Sequence, residues 1–507
     1  MATKDTFIQT VKDGYSFKGD NVKIGIGILD GTPVPEAEVF LPLKTLNRHG
    51  LIAGATGTGK TKTVQVLAEY LSDNSIPVLL MDIKGDLSGM AAEGATNDKI
   101  KERYQLLNME YKPQGFPTEF LTLSNEAGVR LRATVSEFGP ILLSKILDLN
   151  DNQAGLVAML FKYCDDAQLP LVDLKDFTKV LQYASQEGKD ELTKAYGNIA
   201  TTSIGTILRK VVELQQQDAD LFFGEKSFEV DDLMRIDNNG LGIVNVLRVT
   251  DMQNRPKLFS TFMLQMLDEL YASSPEAGDL DKPKLVIVID EAHLVFEEAS
   301  DALLQKIETI IKLIRSKGIG IYFCTQNPQD VPAGILSQLG LKVQHALRAF
   351  TAADRKTIKQ AAENFPETTF YKTEDLLTQM GIGEAFVTLL NEKGIPTPLV
   401  HTLLCSPRSR MDILSPTELD NIVAQSKLVP KYNQAVDPVS AYEILTQKLQ
   451  EAATASQTTA SNTAKKADPG IMGNPFVKSA VRTATTIVAG TIVRSILGAL
   501  GLGGKKR

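Results

Sequence analysis

Eight residues limit this chain more than any others. Gly54-Ala55-Thr56-Gly57-Thr58-Gly59-Lys60-Thr61 is entered from the apolar run LIAG and left through the amphipathic run TVQVLAEYL. The stretch fits GxxxxGK[ST], and its flanks read as buried strand, loop and helix. Glycines suit such a loop because backbone N–H groups must wrap phosphates closely, where a Cβ would obstruct the path. Lys60 supplies a point charge to the β and γ phosphates. Thr61 supplies a hydroxyl ligand to Mg2+. The helix that follows turns its positive N-terminal end to the anion. The expected nucleotide contacts are Gly54, Ala55, Thr56, Gly57, Thr58, Gly59, Lys60, Thr61 and Lys62, with ATP and Mg2+ as the bound species.

Such a loop needs a second site, an acid at the tip of a buried strand placed to hold the magnesium shell. Lys284-Leu-Val-Ile-Val-Ile-Asp290-Glu291 supplies it. Five apolar residues in a row make a strand buried on both faces. Two carboxylates at its end are costly without a cation to pair with. Asp290 is therefore the expected magnesium acid, beside Thr61, and Glu291 the general base that orients or deprotonates the attacking water. A third element, Ile321-Tyr-Phe-Cys-Thr325-Gln326-Asn327, is an apolar strand ending in a neutral amide. If it lies between the two phosphate-facing strands, Gln326 senses the γ-phosphate or positions the water. The bland alternative is a polar strand end.

Other residues leave choices open. Arg348 ends the stretch KVQHALR, and Arg315 ends the helix before the Gln326 strand. Either is a candidate arginine finger reaching a neighbouring subunit's nucleotide, and either is equally read as a surface ion-pair residue. Asp82, Lys84 and Asp86 end the apolar run IPVLLMD. They assist water or magnesium, or are only a polar strand tip. His49 and His293 lack metal-ligand partners at suitable spacing and read as local hydrogen bonders.

A chain of 507 residues has room for two to four domain-sized pieces. The net charge of −7 argues against a uniformly basic nucleic-acid coat, though not against a local basic channel. Cys164, Cys324 and Cys405 are scattered and odd in number, which fits a reducing compartment rather than a disulfide framework. The N-terminal MATKDTFIQTVKDG lacks the apolar core of a signal peptide, and no run of 18 uncharged apolar residues spans a membrane. A cytoplasmic protein is expected.

The alternation of strand-like and helical runs predicts an α/β protein with a mainly parallel sheet. Residues 1–40 read as a short strand segment with a Pro-rich turn at TPVPEAE, and 41–94 as the first part of the core. Residues 95–235 read as a mainly helical insertion, 236–410 as the second part of the core, and 411–451 as a helical extension. EAFVTLL and TPLVHTLL read as an antiparallel pair closing the sheet. Residues 452–473, small and polar, read as a flexible linker. The tail 474–507 carries Lys478, Arg482, Arg494, Lys505, Lys506 and Arg507 and no acid. As a helix it is amphipathic and basic, suited to an anionic membrane surface, a partner groove, a ring neighbour or nucleic-acid phosphates.

Taken together, GATGTGKT, consecutive acids after an apolar strand, a strand-end Gln and a later strand-end Arg resemble the HerA/FtsK group of ring-forming P-loop ATPases. The segments NRHGLIAGATGTGKT, DIKGDLSG, KPKLVIVIDEAHLVF, IRSKGIGIYFCTQNP and QHALRAFTAAD resemble more closely its YjgR-like bacterial branch, over roughly residues 40 to 405. The resemblance implies a RecA-like ATPase core, a hexameric ring with nucleotide at subunit interfaces, and DNA as the translocated partner. Two features depart from it. HerA carries an N-terminal β-barrel that forty residues cannot build, and the helical insertion has no counterpart in the simple core. DNA translocation therefore comes by analogy, and an ATPase switch that remodels a protein partner, near a membrane surface through the tail, is the rival expectation. A superfamily 2 helicase, which the string DEAH brings to mind, needs a second RecA-like domain with an Arg-rich motif, and a transporter-type ATPase needs an LSGGQ-like signature. Neither is present in the sequence.

Overall fold

The computed structural model describes residues 3–465, apart from 298–300 and Ala435. The basic tail from 474 onward lies outside the described residues. The chain divides into two units, Met1–Ala441 and Tyr442–Arg507. In the second, the described part is the helix Ala441–Lys465.

The first unit is organised on one sheet of twelve strands. These are β1 (Asn21–Leu29), β2 (Thr32–Pro42), β3 (Gly50–Ala53), β4 (Val78–Asp82), β5 (Thr118–Thr122), β6 (Val129–Arg130), β7 (Val244–Arg248), β8 (Leu285–Ile289), β9 (Ile319–Thr325), β10 (Leu341–Gln344), β11 (Glu384–Leu389) and β12 (Val400–Leu404). Their order is β2-β1-β12-β11-β10-β3-β9-β8-β4-β7-β5-β6. From β10 to β6 all neighbours are parallel. From β10 back to β2 all are antiparallel. The expected α/β class with a mainly parallel sheet is therefore what the chain adopts.

The central strands follow from composition. Every residue of β4, β8 and β9 is buried. Runs such as LVIVI have no polar alternate positions because helices cover both faces of a parallel sheet. The register fixes the functional edge: Ala53 lies opposite Thr325 and Gln344, and Ile289 lies opposite Phe323 and Met81. The loops after β3, β4, β8, β9 and β10 therefore all leave the sheet on one side, at the carboxyl ends where parallel sheets bind ligands.

Between β6 and β7 lie the helical stretch Val135–Ile146, kinked at Gly139, and the longer helices Asp151–Asp166, Leu174–Ser185 and Thr201–Gln215. Three start at capping boxes, Thr134 with Glu137, Asn150 with Gln153 and Asp173 with Asp176, each of which satisfies two orphan N–H groups. Within the stretch 95–235, however, β5 and β6 join the parallel sheet beyond β7. Their shortness hid them, since β6 has only two residues.

Residues 3–42 include a helix, Lys4–Gly14, and the hairpin β1–β2, which pairs with β12. TPVPEAE is thus not a turn but the start of β2. Proline is tolerated there because β2 is the edge strand and needs no donors on its outer side. The supposed linker is helical as far as Lys465. Its alanines, Ala452, Ala453, Ala455, Ala460 and Ala464, lose no side-chain entropy in a helix, which polarity alone conceals. Among the described residues no helix is long and apolar enough to cross a membrane.

The helix after the Gly-rich loop, Lys60–Asp73, is tied down by a buried carboxylate. Glu69 accepts the N–H groups of Arg408 and Ser409 at 2.9 Å and the Ser409 hydroxyl at 2.6 Å. Glu69→Ala leaves those donors buried without an acceptor, and we expect a loss of roughly 2–4 kcal/mol in urea unfolding monitored by circular dichroism.

Candidate active site

Two neighbouring strands hold the Gly-rich loop from either side. The Gly54 N–H donates to the Thr325 carbonyl at 3.2 Å, and the Ala55 N–H donates to the Ala346 carbonyl at 2.8 Å. Gly54, Gly57 and Gly59 have φ of +154°, +80° and +114°, conformations that only glycine adopts without strain. At Gly54 a Cβ would also sit 2.5 Å from the Cβ of His345. Gly54→Ala is therefore expected to deform the loop and weaken nucleotide binding at least tenfold, at an internal cost of about 1–3 kcal/mol, measurable by calorimetric titration with ATP.

Lys60 opens the helix and folds back over the loop. Its Nζ donates to the Gly54 carbonyl at 2.6 Å, and the residue is buried. Burial pushes its ammonium pKa down, so a phosphate beside it would restore what desolvation removes. Thr61 stands next in the same first turn. Lys62 turns away: its Nζ donates to the Gln65 side chain at 3.1 Å and to the Met411 carbonyl at 2.5 Å. The structure thus groups Gly54 to Thr61 and directs the Lys62 side chain along the helix flank.

β9 lies between β3 and β8, so the acids are one strand removed from the loop. Asp290 is buried, and its Oδ2 has no hydrogen-bond partner. Burial raises its pKa, with the nearby Lys84 acting in the opposite direction. An unpartnered, buried carboxylate oxygen is the donor a divalent cation requires, so the residues present fit Mg2+. Glu291 is also buried and has φ of +45°. A bulky residue in the left-handed region is costly and is retained where the surroundings impose it. Its carboxylate lies between two side chains, with Lys84 paired to Oε1 and the His293 Nδ1 3.2 Å from Oε2. His293 is thus a contact of the expected base.

Asp82, at the end of β4, builds a turn. Its Oδ1 accepts the N–H groups of Gly85 at 2.7 Å and Asp86 at 3.1 Å, and its Oδ2 accepts that of Leu87 at 3.1 Å. Burial holds the carboxyl up at about 6, against 3.8 ordinarily. The folded form then keeps a proton that the unfolded form releases. The associated stability is complete below the unfolded value and is lost as pH rises through the folded one. Asp82→Asn should flatten the dependence of Tm on pH between about 4 and 6.5, followed by scanning calorimetry.

Gln326 leaves the sheet between the loop and the acids, and its side chain is exposed. Its backbone is set by Asp330, whose Oδ2 accepts the Thr325 hydroxyl at 2.5 Å and the Asn327 N–H at 3.0 Å. Arg348 is exposed and follows β10, on the same edge as the loop. Arg315 is exposed at the opposite edge, ahead of β9, where it bears on Arg48 and His49. The length of β9 separates Arg315 from this edge by about 20 Å. His49 is a local hydrogen bonder: Nδ1 accepts the Ile321 N–H at 3.0 Å and Nε2 lies 2.8 Å from the Ile311 carbonyl.

The sequence reading missed His345. It is buried behind the loop, with Nε2 2.9 Å from the Thr63 hydroxyl, and burial holds its pKa down at about 4. The Gly383 N–H also reaches the Thr58 carbonyl at 3.1 Å. A histidine inside the otherwise apolar end of KVQHAL was the available signal.

Phosphate-binding loop, buried lysine, intervening strand and paired acids on one sheet edge define a P-loop enzyme that hydrolyses nucleoside triphosphates. Comparison with known proteins narrows the class. A family model described as helicase HerA-like C-terminal matches residues 29–476, and the chain belongs to that family. It is 25% identical to the DNA double-strand break repair helicase HerA of Saccharolobus solfataricus, over 75% of this chain and 68% of that protein. It is 24% identical to the DNA import protein CedB of Sulfolobus acidocaldarius, over 70% of this chain and 52% of that protein. Among solved structures, the plasmid coupling protein TrwB with the GTP analogue GDPNP shares the fold at a TM-score of 0.50, with 13% identity over 80% of this chain and 95% of that one.

Proposed function

We propose that this protein is an ATP-driven motor acting on DNA, assembled as a hexameric ring and related to the YjgR-like branch of the family. The observation that carries the chemistry is the meeting of the Lys60 ammonium, the unpartnered Asp290 oxygen and the Glu291 carboxylate on one sheet edge. Lys60 and the loop amides hold the β and γ phosphates. Thr61 and Asp290 would hold Mg2+, which when bound neutralises charge on the phosphates. Glu291 orients the attacking water and takes its proton, and Gln326 reports the γ-phosphate. Arg348 or Arg315 completes the site of a neighbouring subunit. Mixing Arg348→Ala with Lys60→Ala subunits should restore part of the activity if Arg348 acts in trans, and mixtures as inactive as their parents would remove it from that role.

DNA enters through the named relatives, a break-repair helicase and a DNA import protein. The acidic net charge of −7 requires any DNA contact to be a local basic lining. The test is the ATPase rate with duplex DNA, single-stranded DNA, RNA or anionic vesicles across a salt series. Stimulation by DNA that weakens with salt is expected. A rate indifferent to every nucleic acid would end the DNA reading, and stimulation by vesicles alone would point to a switch at a membrane surface.

A further inference from the structure

Lys84 is a group the proposed chemistry leaves unused. It sits in the turn after β4 that the Asp82 carboxylate pins through three backbone N–H groups. Its backbone is therefore fixed. β4 pairs directly with β8, Met81 opposite Ile289, so the turn delivers the Lys84 ammonium to the neighbouring strand's acids. There it pairs with Glu291 Oε1. The Lys84 side chain is 35% exposed and the Glu291 side chain 7% exposed, so the carboxylate is screened far less than a surface acid. Lys84 also feels Asp290, and its charge bears on Lys60. Two ammonium groups thus approach one space from different strands, Lys60 from the loop after β3 and Lys84 from the turn after β4.

A triphosphate seated on the loop brings its terminal phosphoryl group into that space. Lys84 then has two anionic acceptors. A carboxylate engaged by Lys84 is turned to that ammonium and not to a water. We propose that Lys84 is a positioning residue that switches Glu291: it pairs with the carboxylate in the absence of triphosphate and moves to the γ-phosphoryl oxygens when triphosphate binds. Glu291 is then free to accept the proton of water, with His293 still beside Oε2 to hold its orientation. The inference rests on the reading of this edge as an ATPase site.

Binding of ADP and of the non-hydrolysable triphosphate AMPPNP to the full chain, with Mg2+, tests it by calorimetry. Lys84→Gln should weaken AMPPNP about tenfold or more and leave ADP within about twofold, since one charge-assisted contact to the terminal phosphate is lost. Glu291→Gln, which removes the competing anion, should tighten AMPPNP relative to ADP. That gain should vanish in the Lys84→Gln/Glu291→Gln double variant. A lysine that only supports the fold would shift both nucleotides equally, and that result overturns the proposal. So does a gain that persists without Lys84. Glu291→Gln alone decides the matter if Lys84→Gln fails to fold, because an unchanged AMPPNP to ADP ratio then also overturns it. Failure of the ATPase reading looks different: the unaltered protein would bind neither nucleotide, or Lys60→Ala would bind both normally.

Discussion

Glu291→Gln should bind ATP and hydrolyse it about 10² to 10⁴ times more slowly than the unaltered protein, the range that a positioned general base supplies. Shape and burial are kept, so the loop and its lysine remain intact. What is lost is the proton acceptor. The two measurements that matter are steady-state phosphate release and retention of radiolabelled ATP after rapid filtration. Slow release with retained, uncleaved ATP is the expected pair of results. Hydrolysis at the normal rate would place the base elsewhere, and His293, 3.2 Å from the Glu291 carboxylate, would be the next residue to replace.

Lys60→Ala should be more severe, with ATP binding at least about tenfold weaker and turnover reduced to background. The buried ammonium donates to the Gly54 carbonyl at 2.6 Å, so the substitution removes both the phosphate charge and a brace of the loop. Stability should change little by comparison, by about 1 kcal/mol for one neutralised hydrogen bond. Fluorescent nucleotide binding beside a thermal melt separates the two. A variant with unchanged Tm and normal ATP affinity would remove Lys60 from the site.

Much of the candidate site was legible because its chemistry is local in sequence. The loop glycines, Lys60 and Thr61 are consecutive, and the acids end a run apolar enough to be a buried strand. The apolar run of β9 and its terminal amide were legible, but its place between β3 and β8 was only a condition in the sequence, which the sheet order meets. Lys84 stood out only as a charge at a strand tip. Its partner lies more than two hundred residues away, and only the pairing of β4 with β8 brings them together. His345 offered only its place in an apolar stretch, since the loop it packs behind is distant in the chain. β2 was concealed by Pro33 and Pro35, which read as turn residues until the strand is known to lie at an edge.

That edge has a consequence for how copies of this chain can meet. One border of the sheet is β2, with proline at Pro33, Pro35 and Pro42, and the other is β6, two residues long. The prolines thin the outer donors at the start of β2, and β6 is too short to pair with more than a few residues. Both borders are therefore poor templates for continuing the sheet into a second copy of the chain. If copies of this chain associate, helices and loops are the better surfaces, the loops at the nucleotide edge among them. Association through those loops would sense what they hold, and assembly of that kind would respond to ATP.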